Sequence, residues 1–181
     1  MKSQGRLKMS RNSPGNLRGF ASPLIVSRAV ALIPILVLFV ASSKIGEKQV
    51  RPSPKDKCPV CGMFVSKYPD FVAEILFKDG SYAVFDGAKD MFKFYFNLKK
   101  YQPMKDPSDI DRIFVTEYYH LVFIDASKAY YVMGSDVFGP MGKELVPVEN
   151  EAQAKTFILD HKGQSILRFQ DITLELINDL D

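Results

Sequence analysis

The chain has 181 residues, 46% hydrophobic and 25% charged, a size and balance that allow one or two domains and exclude a disordered polar chain, a collagen and a multi-span membrane protein. Two cysteines cannot staple a small disulfide-built domain, so any core must form by packing. The net charge of +3 sits entirely in the N-terminal part, since residues 44–181 hold 18 Lys and Arg against 21 Asp and Glu, a net −3, and a folded part without a basic face argues against a nucleic-acid partner.

Residues 1–43 form the first expected unit. Lys2, Arg6, Lys8, Arg11, Arg18 and Arg28 precede an uncharged run, Ala29 to Ser43, with its apolar centre at 32–40. A basic stretch followed by a short apolar run is the pattern of a signal peptide or signal-anchor. The run is shorter than the ~20 residues that span a bilayer comfortably. Small residues at 40–43 offer cleavage points, and Pro34 argues against a buried helix of the domain. Positive charge before the run keeps that end in the cytoplasm, which places the rest on the periplasmic side of the cytoplasmic membrane. The choice between anchoring and release after cleavage stays open. Residues 44–57, polar and with two prolines, are expected to be a linker.

The folded part is expected from Cys58 onward. Its first half, 58–118, predicts strands over 71–77 and 82–85 joined by the turn Lys78-Asp79-Gly80-Ser81. A helix follows from Asp86, with Met91, Phe92, Tyr95, Phe96 and Leu98 on one side and lysines opposite. Asp86 is expected as its N-cap. A strand over 112–118 closes the unit. The second half, 119–181, predicts strands over 121–124 and 129–133, a glycine-bounded loop over 137–142 and a short strand over 144–148. It continues with a helix stopping at Lys162-Gly163, a strand over 165–169 and a closing helix. The expected fold is α+β: two ββαβ-like halves in one compact exported domain, preceded by the N-terminal signal or anchor helix.

One stretch concentrates soft donors: Cys58-Pro59-Val60-Cys61-Gly62-Met63. Thiolate and thioether sulfur select Cu(I). Cys61 and Met63 can face one ion if Gly62 folds the backbone between them, and Cys58 can approach across the turn. Met104, Met133 and Met141 are further thioethers that spacing alone does not place. Three other chemistries compete. A thiol–disulfide C-x-x-C normally follows a strand and opens a helix, which this one does not. Zinc in a ribbon-like site needs a second ligand pair, and there is no third cysteine; His120 and His161 are too distant for finger spacing. A structural disulfide between Cys58 and Cys61 is the third. Asp79, Asp86 and Asp90 are accounted for as turn and capping residues. His120 is expected to be a satisfied surface residue, and His161 complements a helix C-terminus. Hydrolase, zincin and phosphate-loop motifs are missing, so no enzyme is expected.

The 58–63 stretch, followed by Tyr68-Pro69, Ala73-Glu74-Ile75, Phe85-Asp86-Gly87 and Met91, resembles the first half of the NosL family, the accessory protein of nitrous oxide reductase. The resemblance continues through Ile124-Asp125-Ala126, Ala129-Tyr130-Tyr131-Val132, Gly134-Ser135, Gly139-Pro140-Met141-Gly142 and Glu144-Leu145-Val146-Pro147, so it spans about 58–170. It implies an exported Cu(I) metallochaperone at the outer face of the cytoplasmic membrane. The implied partner is a recipient copper enzyme, nitrous oxide reductase or another extracytoplasmic copper protein, or its maturation proteins. The implied copper ligands are the cysteine and methionine of C-x-M, here Cys61 and Met63. The implied fold is two ββαβ-like halves, similar to part of organomercurial lyase. The chain departs from the many lipoprotein members by lacking a lipid-acceptor cysteine after the apolar run. Cys58 is an addition, either a third copper ligand or a disulfide partner of Cys61. The alternative function is a C-x-x-C thiol–disulfide redox protein.

Overall fold

A computed structural model describes residues 49–181. The signal or anchor segment expected over 1–43 and the first part of the 44–57 linker lie outside the described residues. Residues 50–57 lie along the domain: the Val50 N–H donates to Glu74 Oε2 at 3.0 Å, and Lys57 forms an antiparallel bridge with Phe64. Among the described residues no helix is long and apolar enough to cross a membrane.

Two short 3-10 turns, Val65–Lys67 and Pro69–Phe71, lead into the first sheet. Pro69 explains why the first strand starts later than expected: it starts a helical turn and has no N–H for a ladder. Strand β1 (Ala73–Phe77) and β2 (Tyr82–Phe85) form the expected hairpin. Gly80 takes the turn at φ +83°, and Asp79 Oδ1 accepts from the Ser81 N–H at 3.0 Å. The predicted helix breaks at Asn97 into α1 (Ala88–Phe96) and α2 (Leu98–Tyr101). Asn97 leaves helical geometry, and its side-chain amide donates to the Lys93 carbonyl at 3.0 Å.

After a 3-10 turn at Pro107–Asp109 come β3 (Ile110–Thr116) and β4 (Phe123–Asp125). The sheet runs β2-β1-β3-β4, every pair antiparallel. Here the structure differs from the sequence reading. The strand expected over 121–124 to open the second half is β4, and it pairs with β3 of the first sheet. A sharp reversal at residues 117–122, with Leu121 at φ +56°, folds it back onto its predecessor.

The second sheet is β8-β5-β9, from β5 (Tyr130–Met133), β8 (Val146–Val148) and β9 (Ser165–Arg168), again antiparallel. Between β5 and β8 a small hairpin pairs β6 (Phe138–Gly139) with β7 (Gly142–Lys143). Helix α3 (Glu151–His161) lies between β8 and β9, and α4 (Leu174–Asn178) closes the chain. Asn150 caps α3, its side chain accepting from the Gln153 N–H at 3.0 Å. Lys162 ends α3 in the left-handed region.

Two apolar clusters hold the domain. The larger gathers Ile75, Phe85, Met91, Phe92, Phe94, Tyr131, Leu145 and Ile177, so it reaches both sheets. The Phe92 ring meets Tyr131 edge-on at 5.3 Å and links α1 to the second sheet. The smaller cluster, with Val132, Val148 and Phe157, lies under α3. Cys58 and Val65 belong to the larger one, so the donor-rich loop is packed into the core and does not hang from it. One expectation for α1 fails: its lysines are not all opposite the apolar face. Lys89 is buried, its ammonium donating to the Met141 carbonyl at 2.9 Å and the Leu180 carbonyl at 3.3 Å.

Candidate metal centre

The loop from Cys58 to Met63 closes on itself. The Cys58 N–H donates to the Met63 carbonyl and the Gly62 N–H to the Cys58 carbonyl, both at 2.9 Å. This reversal requires Gly62 at φ +80°, where a side chain is strained. The closed loop carries both cysteines, as free thiols, toward the start of α1. Asp86 precedes the extended Gly87 at the end of β2, and Asp90 lies in the first turn of α1, so both acids stand where the strand passes into the helix.

The two elements meet side chain to side chain. Cys58 Sγ lies 3.2 Å from Asp90 Oδ2, and Cys61 Sγ lies 3.2 Å from Asp86 Oδ1. One donor atom from each of the four residues falls within 4.8 Å of every other. Cys58 is 1% exposed, Asp86 1% and Asp90 3%, while Cys61 is half-buried, so Cys61 forms the open side.

Burial dominates the electrostatics. It pushes the Cys61 thiol up to about 12 and the Cys58 thiol higher still. Loop N–H groups pull both down and the neighbouring carboxylates push them back up. Without a cation both thiols therefore keep their protons and donate them to the carboxylates. A cation reverses that balance, because it favours the thiolates and offsets the acids together.

The sequence reading makes Asp86 an N-cap, and the structure corrects this. The N-cap position is Gly87, which has no capping side chain. The helix is capped from a distant segment instead: Glu144 Oε1 accepts from the Lys89 N–H at 2.6 Å and from the Leu145 N–H at 2.9 Å. Glu144 lies so close that a Cβ on Gly87 would fall 2.2 Å from its Oε2. This contact ties the F-D-G segment to the link between β7 and β8, just after the G-P-M-G segment. Burial raises Glu144 to about 7, against the pull of those two N–H groups.

Of the residues proposed from sequence, Cys58 and Cys61 are brought together. Met63 closes the loop through its carbonyl and is half-buried. Met104 is 90% exposed, and Met133 packs against the core. Met141 reaches α1 through its carbonyl on Lys89. The histidines are engaged elsewhere: His120 Nδ1 is 2.9 Å from Glu117 Oε1, and His161 lies between Tyr118 Oη and Asp136 Oδ1, each at 3.2 Å. Asp86 and Asp90 were the residues missed. One signal for them was present, since Asp90 lies four residues before Phe94 and so shares its buried stripe. A cleft of about 520 Å³ lined by Tyr95, Arg112, Asp125 and Phe169 contains none of the four.

Fold and cluster together define the class: a small mixed helix-and-sheet domain that presents a thiol and carboxylate donor set at the start of its first long helix. The chain belongs to the NosL family, whose model matches residues 49–177. A curated relative, the copper-binding lipoprotein NosL of Stutzerimonas stutzeri, is 29% identical over 132 residues, 68% of this chain. The chain spans about 65% of that relative's length. The crystal structure of the copper chaperone NosL from Shewanella denitrificans shares the fold, with a TM-score of 0.59 and 24% identity, covering 71% of this chain and 98% of that one.

Proposed function

We propose that this chain is an exported Cu(I) metallochaperone that passes the ion to another extracytoplasmic copper protein, nitrous oxide reductase or a related recipient. The observation that carries this is the pair of free thiols, held by a closed loop within one donor cluster, in a chain of the NosL family. Relatives described as copper-binding and as a copper chaperone support it. Cys61, on the open side, supplies a thiolate; Cys58 adds a second from inside; Met63 adds soft character without charge. Two or three sulfur donors leave a coordination position for a recipient's ligand, so the ion moves by ligand exchange and is never released free. The N-terminal segment holds the domain at, or delivers it to, the periplasmic side of the cytoplasmic membrane. We read the two sheets as ββαβ-like units, since β2-β1-β3 and β8-β5-β9 each place the second strand beside the first and a helix before the third. No catalytic step is assigned.

The redox alternative needs a thiol that ionises readily near neutral pH. The burial that pushes Cys61 up to about 12 works against it. The test is a titration of reduced, full-length protein with Cu(I) against a competing chelator. Tight binding of one ion, lost in Cys61→Ser, is expected. Equal binding by the Cys58→Ser/Cys61→Ser double variant contradicts the proposal.

A further inference from the structure

Three side chains far apart in the chain form a polar assembly that the copper reading does not use. Tyr118 lies just after β3, Asp136 lies between β5 and β6, and His161 ends α3. Tyr118 Oη is 3.2 Å from His161 Nε2, and His161 Nδ1 is 3.2 Å from Asp136 Oδ1. The Asp136 N–H also donates to the His161 carbonyl at 2.9 Å, which fixes these two residues to each other. A carboxylate at Nδ1 holds the ring proton there, so Nε2 of the neutral ring is left to accept from the phenol O–H. Packing holds the rings in place: Phe157, fully buried, meets Tyr118 edge-on at 4.8 Å and His161 at 4.4 Å.

Two other phenols are placed differently. Tyr131 donates to the Ala126 carbonyl at 2.8 Å, an acceptor that cannot take the proton away. Tyr82 is 42% exposed and meets Asp56 at 3.4 Å, in solvent. Tyr118 instead meets an imidazole, the side chain best suited to take up a proton near neutral pH. It also lines a cleft of about 260 Å³ whose walls include Leu121, Val146 and Ala88, the first residue of α1. The phenol therefore shares a cavity with the helix start that adjoins the donor cluster.

From this geometry we infer that Tyr118 is a redox-active tyrosine, a trap for one-electron oxidants of the oxygen-radical class, with His161 as its proton acceptor and Asp136 as the residue that positions His161. In the trapping step the Tyr118 O–H bond breaks. Its electron goes to the oxidant, hydroxyl radical becoming hydroxide, and its proton goes to His161 Nε2. The products are a neutral tyrosyl radical and an imidazolium held against the Asp136 carboxylate. A base already in contact lets proton and electron leave together, which avoids a cationic phenol radical. A Cu(I) carrier meets such oxidants, because Cu(I) gives one electron to hydrogen peroxide and yields Cu(II), hydroxide and hydroxyl radical. A phenol in the neighbouring cavity diverts the oxidising equivalent from the two thiols. The trap itself needs only the three side chains and stands or falls apart from the copper reading.

The test is flash photolysis of reduced, metal-free, full-length protein with a ruthenium(III) polypyridyl oxidant, whose modest driving force makes the rate depend on the proton acceptor. Tyrosyl absorbance gives the rate, and electron paramagnetic resonance of frozen samples identifies the radical. The chain has eight tyrosines and no tryptophan, so the aromatic radical formed is tyrosyl. A long-lived signal is expected, lost in Tyr118→Phe and kept in Tyr82→Phe. His161→Gln keeps a hydrogen-bond acceptor but removes the base, and is expected to slow radical formation about tenfold or more. Asp136→Asn is expected to slow it less. Deuterated water is expected to slow the parent and to have less effect on His161→Gln. Circular dichroism and a thermal melt check that each variant is folded. A long-lived signal unchanged in folded Tyr118→Phe overturns the inference. An unchanged rate in folded His161→Gln overturns it too, and leaves the assembly a structural clasp between α3 and the strands.

Discussion

The two sheets each lead from a second strand into a helix, and the junctions are built differently. At the start of α3 the cap is local: the Asn150 side chain accepts from the helix's own Gln153 N–H. At the start of α1 the cap comes from Glu144, in the link between β7 and β8, and reaches the Lys89 N–H. The difference shows how a helix start becomes a site. Where the residue before the helix satisfies the helix, it is structural and nothing more. Where a distant residue takes over that duty, Asp86 is free to turn toward Cys61. The delegated cap also fastens the second half of the chain to the site in the first.

The largest effect that sharpens this contrast is on the site itself. Cys61→Ser is expected to weaken Cu(I) binding more than a hundredfold, beyond the roughly 10–100-fold typical of groups that only support a ligand, and Met63→Leu less; a chelator-competition titration reads both. Binding must also be steeply pH-dependent. Each thiolate displaces a proton held above the neutral range, so affinity rises with pH, by about tenfold per unit for each thiol involved. Titrations at three values between pH 6 and 8 give that slope, and a flat profile would break the thiolate assignment.

The cap comparison predicts an asymmetry in stability. Glu144→Ala leaves a buried N–H without its partner and is expected to cost about 1–3 kcal/mol. Asn150→Ala removes a solvent-exposed cap and is expected to cost about 1 kcal/mol. Denaturant unfolding measures both; a larger loss at Asn150 would reverse the comparison. Glu144→Gln isolates the charge. Glu144 binds its proton more tightly folded than unfolded, so its contribution is complete below about pH 4.5 and is lost as pH rises through about 7. The Gln variant is expected to show a flatter decline of stability between pH 5 and 8. Glu74, also raised by burial to about 7, keeps part of that decline in place.

Much of this was legible in the chain. The turn at Gly80, the strand at 82–85 and the stop at Lys162 follow local rules, and the structure keeps them. The cysteine pair was legible because two thiols three residues apart suit a metal, a redox couple or a disulfide and little else. Asp86 and Asp90 were not, because a local role was sufficient for them: an acid before a helix is a good cap. Only the long-range contact with Glu144, 55 residues from Lys89, removes that role. The pairing of β4 with β3 was hidden for a similar reason, since strand type is a local property and the choice of neighbour is not.

The most direct test of the central claim is X-ray absorption at the copper edge of the Cu(I)-loaded, full-length protein, beside Cys61→Ser and Asp86→Asn. The account predicts sulfur neighbours alone, fewer of them in Cys61→Ser and an unchanged set in Asp86→Asn. A copper ion surrounded by nitrogen or oxygen, or a sulfur set unaltered by loss of Cys61, would contradict it.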